Sequence, residues 1–368
     1  MAAPQDYFQR IDLTLGDTQL DRSGDNVRED FMNAIYNIAP TQTPFMSGIG
    51  RENSKDVYTS WQQDDLEEPN DGNAALDGAD IGADVSSPAR RVGNIAQISR
   101  KSLIVSGRAN AVDKAGRSSE MAYQLAKASK ALKRDMEAIL TSNQAAAPDL
   151  DGNTASKTGG LRACYRDAIA NTSEVTSALT AGDGSNGGVV TTPGSETFIP
   201  TAAADGTARA LSMSDTNAAI EAIYMNGGEP DTIMVSPTMK RQISEFLYTS
   251  SARVAALYSD TPQKRSEGGN VANSSIDLYV SDFGALKIMP NRFQGYTRAT
   301  HAPRHQDVHI LDMSMWATGF LRPFRTIEVA KTGDAEKRLL LVDYMLVYKN
   351  EMGSGGVFDI DPAQPVTA

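Results

Sequence analysis

Three histidines fall within nine residues, His301, His305 and His309. Their i, i+4, i+8 spacing would stack them on one helix face, where neutral imidazoles could chelate zinc. Pro303 and the β-like run DVHIL (Asp307–Leu311) argue against a helix, so the expectation is a surface loop leading into a strand. Asp149, Asp151 and Asn153 imitate the first ligands of a calcium loop. Thr154 stands where that loop needs its turn glycine and Gly160 where it needs a bidentate glutamate, so a loop that ends a helix is the better expectation. The chain has no G-x-x-x-x-G-K phosphate loop and no G-x-S-x-G elbow, and Cys164 is its single cysteine, which excludes an intrachain disulfide. No catalytic residue, metal ligand set or cofactor site emerges, and no enzyme is expected.

Charge is the remaining chemistry. Thirty-five basic against 46 acidic residues leave a formal net charge of −11, which argues against a sequence-reading nucleic-acid binder, because phosphate neutralisation dominates that affinity. Much of the imbalance sits in one stretch. Asp64, Asp65, Glu67, Glu68, Asp71, Asp77, Asp80 and Asp84 occur with no basic residue before Arg90. Acids without counter-charge repel, so residues 64–90 are expected to extend as a loop instead of folding alone.

The elements that would carry these residues follow from periodicity. Phe31-Met32, Ala34-Ile35 and Ile38 suggest a short helix after Asp25–Asp30. Residues 38–51, IAPTQTPFMSGIGR, read as an ordered but irregular connector, because Pro40 and Pro44 extend the backbone before them and Gly48 and Gly50 free it. Phe45, Met46 and Ile49 there need a surface from the body of the protein or from a neighbouring molecule. Residues 55–63 alternate as a half-buried strand, and Val92–Val105 form a second, so the acidic stretch reads as the loop of a long hairpin. From Ser118 to about Gln144, Met121, Leu125, Ala128, Leu132, Met136, Ile139 and Leu140 step by three and four, with Lys127, Lys130, Lys133 and Arg134 on the other faces. Ser118 is the expected cap, and the helix would span roughly 40 Å.

Residues 173–209 are rich in Gly, Ser, Thr and Ala and favour turns. A compact α/β section follows: helix 215–226, strand Thr232–Val235, helix 238–248 opened by Pro237, and strands near 276–280, 286–289 and 308–311. Strands near 326–330 and 339–348 end the chain, before a Gly-rich turn at 353–356. At 368 residues this is one large α+β domain or two intertwined ones. No run approaches the roughly 18 apolar residues of a bilayer helix, and the opening MAAPQDYFQRIDLTL lacks the apolar region of a signal peptide, so an intracellular product without a membrane partner is expected.

Four stretches carry a resemblance: IYNIAPTQTPFMSGIGR (Ile35–Arg51), IMVSPTMKRQIS (Ile233–Ser244), DLYVSDFGALKIMPNR (Asp277–Arg292) and EKRLLLVDYMLVYKNEMGSGGVFDI (Glu336–Ile360). In this order they resemble the major capsid proteins of tailed bacteriophages with the Hong Kong 97-type fold. The resemblance implies an α+β capsid fold with an N-terminal arm (1–53), an E-loop (54–106), a P-domain built on a long spine helix (107–210, with return strands 325–368) and an A-domain (211–324). It further implies assembly into pentamers and hexamers of an icosahedral head that encloses double-stranded DNA without reading its sequence. A portal protein, a decoration protein and, because the arm starts almost at Met1, a separate scaffolding protein are the expected partners. The chain would be built into virions in the host bacterial cytoplasm. Phe45, Met46, Tyr58, Trp61, Glu67 and Glu68 are the candidate intersubunit contacts. Some relatives join an E-loop lysine to a neighbouring asparagine; here no lysine occurs from 56 to 100, so no such cross-link is expected. An encapsulin-type shell shares the implied fold, and an enzyme using residues 211–324 is the alternative from another class.

Overall fold

The computed structural model describes residues 39–64, 66, 69–72, 74, 77–78, 80, 89–112, 117–149, 152–165, 179–180, 199–203, 208–249, 276–294, 306–331 and 333–366. In chain order the elements are α1 (Pro44–Gly48), β1 (Gly50–Asn53), β2 (Tyr58–Gln63), β3 (Arg90–Ile95), β4 (Gln97–Ser106), α2 (Gly107–Ala111) and α3 (Glu120–Leu140). There follow β5 (Leu179–Thr180), α4 (Met213–Met225), β6 (Thr232–Val235), α5 (Pro237–Thr249), β7 (Leu278–Ser281), β8 (Gly284–Pro290), β9 (Gln306–Leu311), β10 (Trp316–Val329), β11 (Ala335–Tyr348) and β12 (Gly355–Ile360). The strands make a four-stranded sheet in the order β1-β10-β11-β4, a six-stranded sheet in the order β5-β12-β9-β6-β8-β7, and the two-stranded ribbon β2-β3.

The apolar stripe of α3 packs on the four-stranded sheet. Leu132, Met136 and Leu140 meet Leu340, Val342, Tyr344, Leu346 and Trp316 in one core. The helix is shorter than its periodicity implied: Ser119, not Ser118, caps it, and at 21 residues it spans about 32 Å. It stops at Leu140 because the Leu161 N–H takes that carbonyl from outside, at 2.8 Å. A second core lies on the six-stranded sheet, where Ala219, Ile220 and Ile223 of α4 and Met239 and Ile243 of α5 cover Ile233, Val235, Leu286, Ile288, Val308 and Ile310.

Three expectations change. Residues 38–51 are not wholly irregular, since α1 and β1 lie within them and β1 pairs in parallel with β10. The second alternating run is two strands. β3 pairs with β2 across Tyr58↔Ile95, whereas β4, one residue later, pairs with β11 over ten residues. The strand expected at 326–330 begins ten residues earlier, at Trp316, and passes Pro323 inside the register shift between Arg322 and Arg325, where a missing N–H costs no ladder bond. β12 joins the six-stranded sheet, and Val357, Ile360 and Val366 enter the second core.

The hairpin is mounted on both edges of the four-stranded sheet. β1 is one edge and β4 the other, with β10 and β11 between them. Asn53 pairs with Phe320, Phe320 with Tyr344, and Tyr344 with Gln97, so both legs leave the sheet at the same row before converging into β2-β3.

Candidate functional site

The described residues bring together polar side chains whose work is to fasten elements. Glu137, in the last turns of α3, is fully buried. Its Oε1 accepts the Phe45 N–H at 2.8 Å and the Asn291 Nδ2–H at 2.7 Å, and its Oε2 accepts the Met46 N–H at 2.9 Å. One carboxylate thus ties the first turn of α1, the long helix and the segment after β8. Burial pushes this carboxyl above its ordinary value of 4.5, while the three donors pull it down. A shared carboxylate also explains why a five-residue helix forms at all, since its free N–H groups are satisfied from outside.

Asn94 does the same for the hairpin. It is fully buried, its Oδ1 accepts the N–H groups of Ile95 and Gly159, both at 2.8 Å, and its Nδ2 donates to the carbonyls of Leu346 at 2.7 Å and Gly159 at 3.3 Å. All four hydrogen bonds open to an amide are made. At the second edge, Lys101 of β4 forms an ion pair with Asp135 of α3.

A third cluster lies under the six-stranded sheet. Arg162 is buried, with Nη2 3.1 Å from Asp359 Oδ1, Nη1 3.5 Å from Asp307 Oδ2, and its guanidinium 4.9 Å over the Phe358 ring. His309 lies beside it in β9, with Nδ1 3.2 Å from the Tyr165 hydroxyl and the two rings stacked 5.9 Å apart. Burial first, then the Arg162 charge, lowers its pKa to about 3, so the imidazole is neutral. His301 and His305 lie outside the described residues, and among those described no cluster of histidine, cysteine and acids could hold a metal ion. Burial raises the Cys164 thiol well above its usual range, which is the state of an inert core cysteine.

The candidate contact residues divide. Phe45 and Met46 are buried in the chain's own core, Phe45 edge-on to Trp316 at 6.4 Å, so the body of the protein supplies the surface they required. Tyr58 and Trp61 are half-buried on β2; Trp61 meets the Tyr348 ring at 5.0 Å, and Arg91 lies over the Tyr58 ring. Glu67 and Glu68 lie outside the described residues. Leu66, just before them, is 99% exposed. Sequence reading missed Glu137, Asn94 and Arg162. Only Glu137 carried a signal, as an acid flanking Met136 within the apolar arc of α3.

Among the described residues two apolar surfaces stand uncovered. Ile98 and Ile104 on β4 and Ile327 and Val329 on β10 are exposed, and the registers Ile104↔Lys337↔Val329 and Ser102↔Leu339↔Ile327 put them on one face of the four-stranded sheet. On the edge strand β7, Leu278 and Val280 are exposed, and nearby Phe283 leans on Tyr224 at 5.1 Å. Such areas on a monomer mark interaction surfaces. No helix among the described residues is long and apolar enough to cross a membrane.

Comparison with known proteins shows the family and the fold. The major capsid protein of Escherichia phage Phieco32 is 28% identical over 347 residues, covering 89% of this chain and 93% of that protein. Among solved structures, the capsid asymmetric unit of cyanophage A-1(L) superposes with a TM-score of 0.55 at 12% identity, over 91% of this chain and 97% of that one. The capsid of a native GTA particle gives 0.53 at 10% identity, over 94% and 100%. These neighbours share the Hong Kong 97-type fold, an α+β architecture, as the sequence resemblance implied. The family model of the SU10 major capsid protein matches residues 11–361, and the chain belongs to that family: it is a phage major capsid protein.

Proposed function

We propose that this capsid protein forms pentamers and hexamers of an icosahedral head and that its hairpin is the element that reaches a neighbouring subunit. The observation that carries this is the contrast along the hairpin. Its base is fixed by Asn94 and by two sheet edges, while Leu66 beyond it is fully exposed at the start of an eight-acid stretch. A rigid root under a loop that cannot neutralise itself fits a segment completed by another copy. Tyr58, Trp61, Glu67 and Glu68 stay in that contact set. Phe45 and Met46 act on assembly through the arm they anchor, since their own side chains are covered.

In this reading α3 with the four-stranded sheet forms the P-domain, and α4 and α5 with the six-stranded sheet form the A-domain. The arm (1–53) and E-loop (54–106) extend from them. Double-stranded DNA is packaged without sequence recognition, and the −11 charge keeps the subunit from gripping a polymer that must move in and out. A scaffolding protein, a portal and a decoration protein are the further partners, and assembly takes place in the host cytoplasm. Negative-stain microscopy of the native assembly tests the reading: large DNA-filled shells are expected. Small empty shells would favour an encapsulin-type container, and a homogeneous monomer with turnover would favour an enzyme. Regular shells from this chain expressed alone would remove the scaffolding protein.

A further inference from the structure

The acids of α3 leave its cations unmatched. Glu120 pairs with Arg117, Asp135 with Lys101, and Glu137 is buried under its three donors. Lys127 and Lys130 are exposed, and Arg134 is half-buried with its guanidinium 5.1 Å over the Phe293 ring. Among the described residues Lys127, Lys130 and Arg134 form no ion pair, Arg134 Nε has no acceptor, and the groove that the three line contains no acidic residue. In a chain of net charge −11 this row is a local exception. At 3.6 residues per turn the three fall within about 60° of one another around the helix, on the side opposite Leu132 and Met136.

We propose that this row is where the capsid wall touches the phosphate backbone of packaged double-stranded DNA, which rests on the reading that the shell encloses DNA. Lys127 and Arg134 stand about 10 Å apart along the helix axis. A duplex offers one phosphate of a strand per about 3.4 Å of its axis, so about three pass along that length, one for each cation. The chain's own acidic stretch, the competing polyanion, has no such regular row, since its acids fall at gaps of one to six residues. Two of the three cations are lysines, compact hydrated charges that meet a phosphate without fixing its orientation. The nearby amide that could read a base edge, Gln124, is spent on Glu120 at 2.7 Å. The contact is therefore loose and independent of sequence, as a polymer that must enter and leave requires. It turns the helix side of the four-stranded sheet to the DNA, and the row of Ile98, Ile104, Ile327 and Val329, on the opposite face, away from it.

Lysine acetylation read by mass spectrometry tests this on native particles, both filled and after release of their DNA. Lys127 and Lys130 should react about fivefold more slowly in filled particles and recover on emptying, while Lys287, exposed on β8, should react alike in both. Protection that persists in emptied particles would put protein in the row, such as the acidic loop of a second copy, and overturn the proposal. Equal reactivity of Lys127 and Lys130 in both would show the row bare and overturn it too. Particles that hold no DNA would fail the reading beneath the proposal, a separate result, and take the proposal with it. In free subunits at low salt, Lys127→Gln with Lys130→Gln should weaken binding of a short duplex about tenfold and lower the slope of log affinity against log salt by about 2, with the melting temperature unchanged. The same exchanges at the exposed Lys287 and Lys331 should change neither affinity nor slope. Equal losses from the two pairs would make the binding an effect of net charge and overturn the assignment to α3.

Discussion

At Glu137 and His309, burial acts on two groups of opposite sign. Glu137 has three donors aimed at an ionised carboxylate, so Glu137→Gln must turn an N–H toward the Met46 N–H, and it should cost about 1–3 kcal/mol. Glu137→Ala, which strands three donors, should cost more, about 3–5 kcal/mol. Urea unfolding of purified subunits measures both, and an unchanged midpoint for Glu137→Ala would show that the arm is not held there. His309 sets a pH dependence. Its pKa is 6.5 in the unfolded chain and about 3 in the folded one, so between these values the unfolded state holds the extra proton. Stability therefore rises with pH across that window, by about 1.4 kcal/mol per unit from this residue, and is fully present above 6.5. Glu137 works the other way, since its raised folded pKa makes its share fall as pH rises through that value. In His309→Gln the slope between pH 4 and 6 should flatten relative to the parent; equal slopes would mean the imidazole is not held neutral.

Elements are joined here by single polar residues. Asn94→Asp replaces two donors by a carboxylate oxygen facing the carbonyls of Leu346 and Gly159, so the hairpin should loosen from β11. The expected outcome is a lower melting temperature together with faster hydrogen exchange in residues 58–63 and 90–95; a lower melting temperature without that local change would assign Asn94 to the core in general. Gly160 marks another such point. A Cβ there would strike the Ser142 carbonyl, which is why the helix end and the 159–161 strand of chain can touch. The elements themselves were largely legible: the long helix, β6 and its flanking helices follow from spacing and caps, within a few residues. The switch at Ala96 was not, because an exchange of partners leaves no mark on a strand's own side-chain period. Nor were the fasteners, since a buried asparagine or arginine reads like a surface residue until the groups it bonds, 65 and 252 residues away for Asn94, are brought beside it.

For the whole molecule, charge and covalent chemistry constrain how copies hold together. The hairpin loop has no lysine, and Lys101 at its base is already paired with Asp135. In mature particles boiled in detergent this chain should therefore run as one 39.4 kDa band, and a ladder of its covalent oligomers would refute non-covalent interlocking. Ile98, Ile104, Ile327 and Val329 are exposed and are the candidates for non-covalent contacts between copies. Ile104→Asp should leave the subunit's melting temperature within about 0.5 kcal/mol equivalents of the parent, as an exposed site, while lowering the yield of shells in sedimentation.

The two legs of the hairpin stand three strand spacings apart, roughly 14 Å, on opposite edges of one sheet. Both leave at the row of Asn53 and Gln97. A tug on the loop along the strands is therefore shared between two ladders and pulls each lengthwise, so their bonds bear the load at once instead of opening one by one like a zip. As a mechanical part the root of the hairpin is a stirrup, two legs on opposite edges of one sheet that divide any pull between them.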